Sequence, residues 1–168
     1  MPHQPLPSVR RALTLIEVVA STMIVGMLYV AALNSLGAAT RSSESTGNRA
    51  VATGLADELM AEILQTNYSD PTDTPVFGPE GAESSGPRTA FDDIDDYNVW
   101  NQSPPRARDG TQMADRVGWR QRVTVNYVVP ATPTQTSATD QGAKRVKVTI
   151  EYNGAVLAEQ FAVRTSVE

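Results

Sequence analysis

The sequence predicts an α+β protein in which a long N-terminal helix precedes a small antiparallel β-sheet. Three observations support this fold class. Every residue from Val18 to Thr40 is uncharged, apolar residues then recur at helical spacing as far as Leu64, and residues 119–168 alternate between apolar and polar positions around an Asn-Gly pair. A chain of 168 residues corresponds to about one domain.

The uncharged segment is long enough to cross a membrane. A spanning helix needs about 20 mostly apolar residues, and Val18 to Thr40 covers about 35 Å at about 1.5 Å per residue. Arg10 and Arg11 precede the segment, and positively charged flanks tend to stay in the cytoplasm. We therefore expect a single-pass protein with a cytoplasmic N-terminus and an extracytoplasmic head.

Glu17 lies at the start of this apolar segment. A carboxylate near the centre of a spanning helix costs about 2.5 to 3.5 kcal/mol and less toward the edge, so its presence indicates a functional site. An ordinary secretory signal has a shorter apolar core, which is discarded with the cleaved peptide. A plain single-pass anchor fits the length but gives Glu17 no role.

Residues 10–19, with the sequence RRALTLIEVV, resemble the processing site of type IV prepilins and of the pseudopilins of type II secretion. In that family a short basic leader ends in a small residue, and the fifth residue of the mature chain is glutamate. The resemblance implies a leader from Met1 to Ala12, a new N-terminus at Leu13, and Glu17 as that fifth residue. Ala12 and Leu13 depart from the family's usual glycine and phenylalanine.

The resemblance also implies the partners and the location. A prepilin peptidase would remove the leader and methylate the Leu13 amine, and an inner-membrane assembly platform would add the subunit to a filament of other pilins or pseudopilins. Glu17 of an incoming subunit would approach the Leu13 amine of its neighbour and set the axial register. Residues 55–60, with the sequence LADELM, are most similar to the minor pseudopilin I of type II secretion or to V-type minor pilins. The expected location is the bacterial inner membrane.

The chain divides into five predicted regions. The leader at 1–12 is followed by a membrane and filament-core helix at 13–39, an amphipathic continuation at 40–66, a loop-rich region at 67–118 and a sheet at 119–168. The amphipathic part carries a broad apolar face that we expect to pack in the core, formed by Val51, Ala52, Leu55, Ala56, Leu59, Met60, Ile63 and Leu64.

The loop-rich region contains the sequence FDDIDDYNVW at 91–100. Its four carboxylates repel each other unless they are solvated or bridged by a cation, and oxygen ligands of this kind suit calcium. The spacing is not that of an EF-hand. We favour a solvated acidic loop and keep a calcium site as the alternative, with the aromatic residues fixing the loop to the head. The candidate calcium ligands are Asp92, Asp93, Asp95 and Asp96.

The C-terminal region predicts two strands with alternating apolar residues and a hairpin at Asn153-Gly154, because both positions tolerate a positive φ. A strict two-residue hairpin would pair Ile150 with Leu157 and Val146 with Phe161. It would also place Glu159 on the apolar face, unless a bulge intervenes. Residues 130–143 are predicted to be a polar loop.

Composition limits the function classes. The only histidine is His3, in the expected leader, and there is no cysteine, so histidine-based triads and thiolate sites are unavailable in the mature chain. Without the leader, 12 basic residues face 19 acidic ones, which disfavours nucleic-acid binding. We predict a structural, non-catalytic filament subunit without a required cofactor. The alternatives are a DNA-uptake pseudopilin and a membrane-anchored hydrolase with a carboxylate pair.

Overall fold

The computed structural model describes residues 14–71 and 76–166. The chain forms two compact units that meet between Ser45 and Thr46, and each is described by itself. The described residues form one α-helix, α1 (Leu15–Ile63), two short 3₁₀ helices at Glu83–Ser85 and Asp95–Tyr97, and five strands: β1 (Asn101–Gln102), β2 (Trp119–Val129), β3 (Thr132–Thr136), β4 (Ala143–Tyr152) and β5 (Ala155–Thr165).

The C-terminal part of α1 packs on the sheet, which confirms the predicted α+β layout. Its apolar residues recur at three- and four-residue spacing, so they share one face that the sheet covers. The predicted helix continued to residue 66, whereas α1 ends at Ile63, after which the Thr66 hydroxyl donates to the Ile63 carbonyl at 2.8 Å. The buried helix residues are Ala52, Leu55, Ala56, Leu59, Met60 and Ile63.

The sheet is antiparallel, with the strand order β1-β2-β4-β5 and β3 paired to the end of β2. Val123 and Val125 of β2 and Val146 and Val148 of β4 face the helix and are buried. The prediction of a loop over 130–143 was wrong at β3, whose sequence TPTQT lacks an apolar alternation because the strand is largely exposed.

The predicted hairpin between β4 and β5 is confirmed, with Asn153 at φ 48° and Gly154 at φ 81°. Of the two possibilities that the sequence left open, a bulge or an exposed edge, the structure has the bulge, so the strict two-residue register does not form. A bulge shifts the pairing after Ile150, so that Ile150 faces Ala158 and Phe161 faces Lys147. A shift of one residue exchanges the two faces of a strand. Phe161 and Glu159 therefore lie on the outer face of the sheet, away from the helix.

The loop-rich region is fixed to the head by buried contacts. The guanidinium of Arg88 forms two hydrogen bonds of 2.9 Å with the Glu62 carboxylate of α1. The Phe91 ring meets the Tyr97 ring edge-on at 5.0 Å and the Trp100 ring at 6.0 Å. The aromatic residues thus pack the loop onto the core, as the sequence predicts.

Candidate functional site

The first unit exposes nearly all of its described side chains. From residue 14 to residue 45 every residue except Gly37 is exposed. One helix among the described residues, α1, is long and apolar enough to cross a membrane by length and composition, and the apolar window lies near the N-terminus. The large exposed apolar residues include Leu15, Ile16, Met23, Ile24, Val25, Met27, Leu28, Tyr29, Val30, Leu33 and Leu36.

Glu17 lies in the first turn of α1 and is exposed. Its backbone N–H donates to the Thr14 carbonyl at 3.0 Å and lies 3.4 Å from the Thr14 hydroxyl oxygen. Thr-x-x-Glu is the sequence of a capping box, in which the hydroxyl satisfies an N–H group of the first turn. The hydroxyl half of such a box is present here, through the backbone N–H of Glu17 and not through its carboxylate, and the sequence analysis did not identify it. The predicted processing residues Ala12 and Leu13 lie outside the described residues.

The aspartates of the acidic loop are not solvated, so the favoured prediction of a solvated loop was wrong. Asp93, Asp95 and Asp96 are buried, and Asp92 is half-buried. Asp93 accepts the backbone N–H groups of Asp95 at 2.8 Å and of Asp96 at 3.3 Å. Asp96 accepts those of Asp92 at 2.9 Å and of Asp93 at 3.0 Å. Backbone donors thus replace much of the water that these carboxylates lose on burial.

Asp95 is held by the sheet. One of its carboxylate oxygens is in direct contact with the Nζ atom of Lys144, at the start of β4. The other oxygen accepts the backbone N–H of Gly78 at 3.2 Å. Lys144 also donates to the Tyr68 carbonyl at 2.5 Å. This ion pair joins the loop to the sheet, and no local sequence signal connects two residues so far apart in the chain.

Burial and the charge of Asp95 raise the pKa of Asp93 to about 8, although the Lys144 charge acts in the opposite direction. The side chains of Asp93 and Asp95 are hydrogen-bonded to each other. Two carboxyls in this arrangement cannot both ionise easily, so one of them retains a proton near neutral pH. Asp93 is therefore an acid placed beside the Lys144–Asp95 pair.

A second cluster of carboxyl side chains lies around Asp96. Ligand oxygens of Glu80, Glu83 and Asp96 lie within 4.8 Å of one another, an arrangement that could hold a metal ion. Only Asp96 belongs to the four predicted calcium ligands, and calcium binding stays a prediction. Burial and the charge of Asp96 raise the pKa of Glu83 to about 7. Burial, a hydrogen bond to Asp70 and the charge of Asp96 raise the pKa of Glu80 to about 6.

Glu83 and Asp96 also line an open groove of about 600 Å³ in the head. The indole Nε1 atom of Trp100, another lining residue, is buried and has no hydrogen-bond partner among the described residues. The other residues that line the groove include Ser84, Pro87, Asn98, Gln102, Arg106 and Asp109.

The outer face of the sheet is basic although the whole chain carries a net charge of −5. Glu151 pairs with Arg122 at 2.8 Å, and Glu159 pairs with Lys147 at 2.5 Å. Two further arginines share this face, so positive charge remains in excess. The basic residues of the face are Arg120, Arg122, Arg145 and Lys147.

No family model, no curated protein and no solved structure matches the chain. The functional conclusion therefore depends on the sequence resemblance and on the geometry of the two units. Sequence reasoning missed Lys144, Glu80 and Glu83 as neighbours of the acidic loop. Among the features that were missed, only the Thr-x-x-Glu sequence at Thr14 could have been recognised from neighbouring residues.

Proposed function

We propose that the protein is a structural, non-catalytic filament subunit of the type IV pilin-like class, as a minor pseudopilin of type II secretion or a minor pilin. The observation that carries the proposal is the division of α1. Its N-terminal part is apolar and exposed with a glutamate in the first turn, and its C-terminal part forms the core of an α+β head. A filament subunit uses the first part for assembly and the second to support the head.

The exposed apolar surface supports this function because it has no cover within its own unit. Contiguous apolar surface on a soluble protein marks a membrane or protein interface. A bilayer covers it before assembly, and the equivalent helices of neighbouring subunits cover it in a filament. The prepilin peptidase, the other filament subunits and the assembly platform are the partners of this proposal.

Glu17 is the proposed assembly residue. In apolar surroundings a carboxylate and the methylated amine of a neighbouring subunit attract strongly, and an unpaired charge is costly. This charge pairing would select one axial register. It would do so independently of the backbone cap that begins at Thr14.

The first experiment is N-terminal mass spectrometry of the membrane-fraction protein, with and without the prepilin peptidase. The expected result is a mature chain that starts at N-methylated Leu13 only when the peptidase is present. An intact Met1 in both samples would mean a simple anchor. A start downstream of the apolar segment would mean an ordinary secreted protein.

Three variants then separate the charge of Glu17 from its place in the cap. Glu17→Gln keeps a residue suited to the capping box but removes the charge, whereas Glu17→Ala removes both. Glu44→Ala changes an exposed glutamate of α1 beyond the apolar segment and is the matched control. We expect both Glu17 variants to remain in the membrane and to be absent from sheared filaments. Normal incorporation of Glu17→Gln would leave Glu17 with a capping role only.

A second candidate function, a DNA-uptake pseudopilin, is favoured by the basic outer face of the sheet. Binding there would depend on salt, because cationic side chains release phosphate counterions. The test is fluorescence anisotropy of labelled duplex DNA with the full chain in detergent, using Arg122→Gln and Lys147→Gln. Binding that weakens in these variants and at higher salt would support DNA uptake. Equal, negligible binding by all three proteins is the result expected for a secretion subunit.

A further inference from the structure

The buried pair of Lys144 and Asp95 has no role in filament assembly. Their side chains are only 2% and 3% exposed, and Nζ and a carboxylate oxygen are in direct contact. The Nζ atom also lies 4.6 Å from the centroid of the Tyr68 ring and 5.8 Å from that of Tyr127. The amine and the carboxyl are thus in contact with each other, and two aromatic rings lie close to the amine.

Two further groups act on the Asp95 carboxyl. The Oδ1 atom of Asp93 accepts the backbone N–H of Asp95 at 2.8 Å, which places a second buried carboxyl beside it. The backbone N–H of Gly78 donates to the Asp95 Oδ2 atom. The site therefore combines a nucleophile, an electrophilic carboxyl, a carboxyl that can relay a proton and a donor to the oxygen on which negative charge would develop.

We propose that Lys144 and Asp95 become joined by an intramolecular amide bond between Nζ and Cγ, with Asp93 relaying a proton from the nitrogen to the departing oxygen. The proposal is independent of the proposed function, since it concerns only the head.

The reaction is a condensation that needs no further reactant. A proton first moves from the Lys144 ammonium to the Asp95 carboxylate, which gives a neutral amine and a neutral acid. The amine attacks Cγ, and the developing charge on Oδ2 is stabilised by the Gly78 N–H. Asp93 takes a proton from the nitrogen and gives it to the departing hydroxyl. One C–N bond forms, one C–O bond breaks, one water leaves, and Asp93 ends unchanged.

Burial favours the amide over the ion pair in two ways. Two charges lose their hydration in the interior, whereas an amide is neutral and needs only ordinary hydrogen bonds. Groups held in contact also react with effective concentrations of about 10⁵ to 10⁸ M, since the entropy of bringing them together is already lost in folding. Water has little access to the amide for the reverse hydrolysis, because the surrounding side chains are buried.

The test is intact mass spectrometry of the full chain extracted from membranes, followed by trypsin digestion. The expected mass is lower by one water molecule than the mass calculated for the chain from its observed N-terminus, with any N-methylation included. Trypsin should not cleave after Lys144, and residues 89–106 should appear as a branched species attached to residues 123–145. The branched peptide distinguishes the amide from a succinimide at Asp109-Gly110, which would produce the same change in mass.

Two variants provide controls. Lys144→Arg keeps a cation beside Asp95 but cannot form the amide, so its mass should show no loss of water. Asp93→Asn keeps the oxygen that accepts the backbone N–H groups but removes the acid, and the linked fraction should fall at least tenfold at equal times. An unmodified wild-type mass in a chain that melts cooperatively, or a loss of water confined to Asp109, overturns the proposal. A linked fraction unchanged in Asp93→Asn would overturn the role of Asp93.

Discussion

Residues 14–45 and 46–166 both contain many apolar side chains, but they differ in where those side chains can be buried. Leu59 and Ile63 lie on α1 and are buried, whereas Leu28 and Leu33 lie on the same helix and are more than half exposed. Helix propensity is the same for leucine in both places, so the difference comes from what surrounds the helix. The second segment supplies its own sheet. The first has no such cover within its own described residues.

The largest effect is expected from removing a charge in the buried part of the second segment. Arg88 is 2% exposed and donates to the Glu62 carboxylate from its Nε and Nη2 atoms. Arg88→Met should lower the free energy of unfolding by about 3 to 5 kcal/mol, since a buried carboxylate loses its counter-ion. Urea titration of the full chain in detergent measures this change.

The matched control for Arg88 is Arg116→Met. Arg116 pairs with Asp115 at the surface, where ion pairs contribute about 0 to 1 kcal/mol. A similar loss in both variants would mean that Arg88 is less important to the core than its contacts indicate.

One substitution in each segment tests whether the stability of the head is independent of the first segment. Leu59→Ala should cost about 3 kcal/mol, because it removes buried methyl groups and leaves a cavity in the head. Leu33→Ala should leave the unfolding of the head unchanged, since Leu33 is 52% exposed in the first segment. Denaturant titration followed by tryptophan fluorescence reports on the head alone, because both tryptophans lie there. Destabilisation of the head by Leu33→Ala would contradict this independence.

A smaller, pH-dependent effect is expected at Glu83. Folding raises the pKa of this acid to about 7, so the folded state binds its proton more tightly than the unfolded state. Its favourable contribution is therefore present below the ordinary carboxyl pKa and is lost as the pH rises toward 7. Glu83→Gln should raise the midpoint of thermal unfolding at pH 8 and have little effect at pH 4.

The control for Glu83 is Glu58→Gln, which changes an exposed glutamate on α1. It should not change the dependence of stability on pH. A Glu83→Gln curve parallel to that of the wild type would show that folding does not raise the pKa of Glu83.

The smallest effect is expected at Phe161, on the outer face of β5. The ring is 60% exposed, so Phe161→Thr should change the free energy of unfolding by no more than about 0.5 kcal/mol. Val148→Thr, on the opposite face of the same hairpin, should cost more than about 1 kcal/mol because it buries a hydroxyl. A large loss from Phe161→Thr would contradict the bulged register and indicate the strict two-residue hairpin.

Local patterns predicted the elements, and contacts between distant residues decided the rest. The period of α1 and the turn at Asn153-Gly154 were readable because each depends on nearby residues. The bulge after Ile150 was not, since the sequence left a bulge or an exposed edge equally open. Residues 130–143 look like a loop because β3 buries almost nothing.

The acidic loop shows the same limit at the candidate site. Its composition predicted water or calcium around the carboxylates, and the sequence could not show that Lys144 and a series of backbone N–H groups would occupy their place. Glu17 and its apolar context were evident from the start. Its cap at Thr14 follows from a four-residue spacing that was present in the sequence and was overlooked.

The position of Thr14 has a consequence for the processed chain. The N-terminal end of a helix carries a partial positive charge of about +0.5 from its aligned peptide dipoles, and a nearby α-amino group adds to it. Removal of residues 1–12 would bring such an amine next to Thr14, while the hydroxyl and carbonyl that start α1 remain in the mature chain. Glu17, in the first turn, is placed to offset both positive charges. Cleavage would therefore change the charge at the end of the helix without changing where the helix begins.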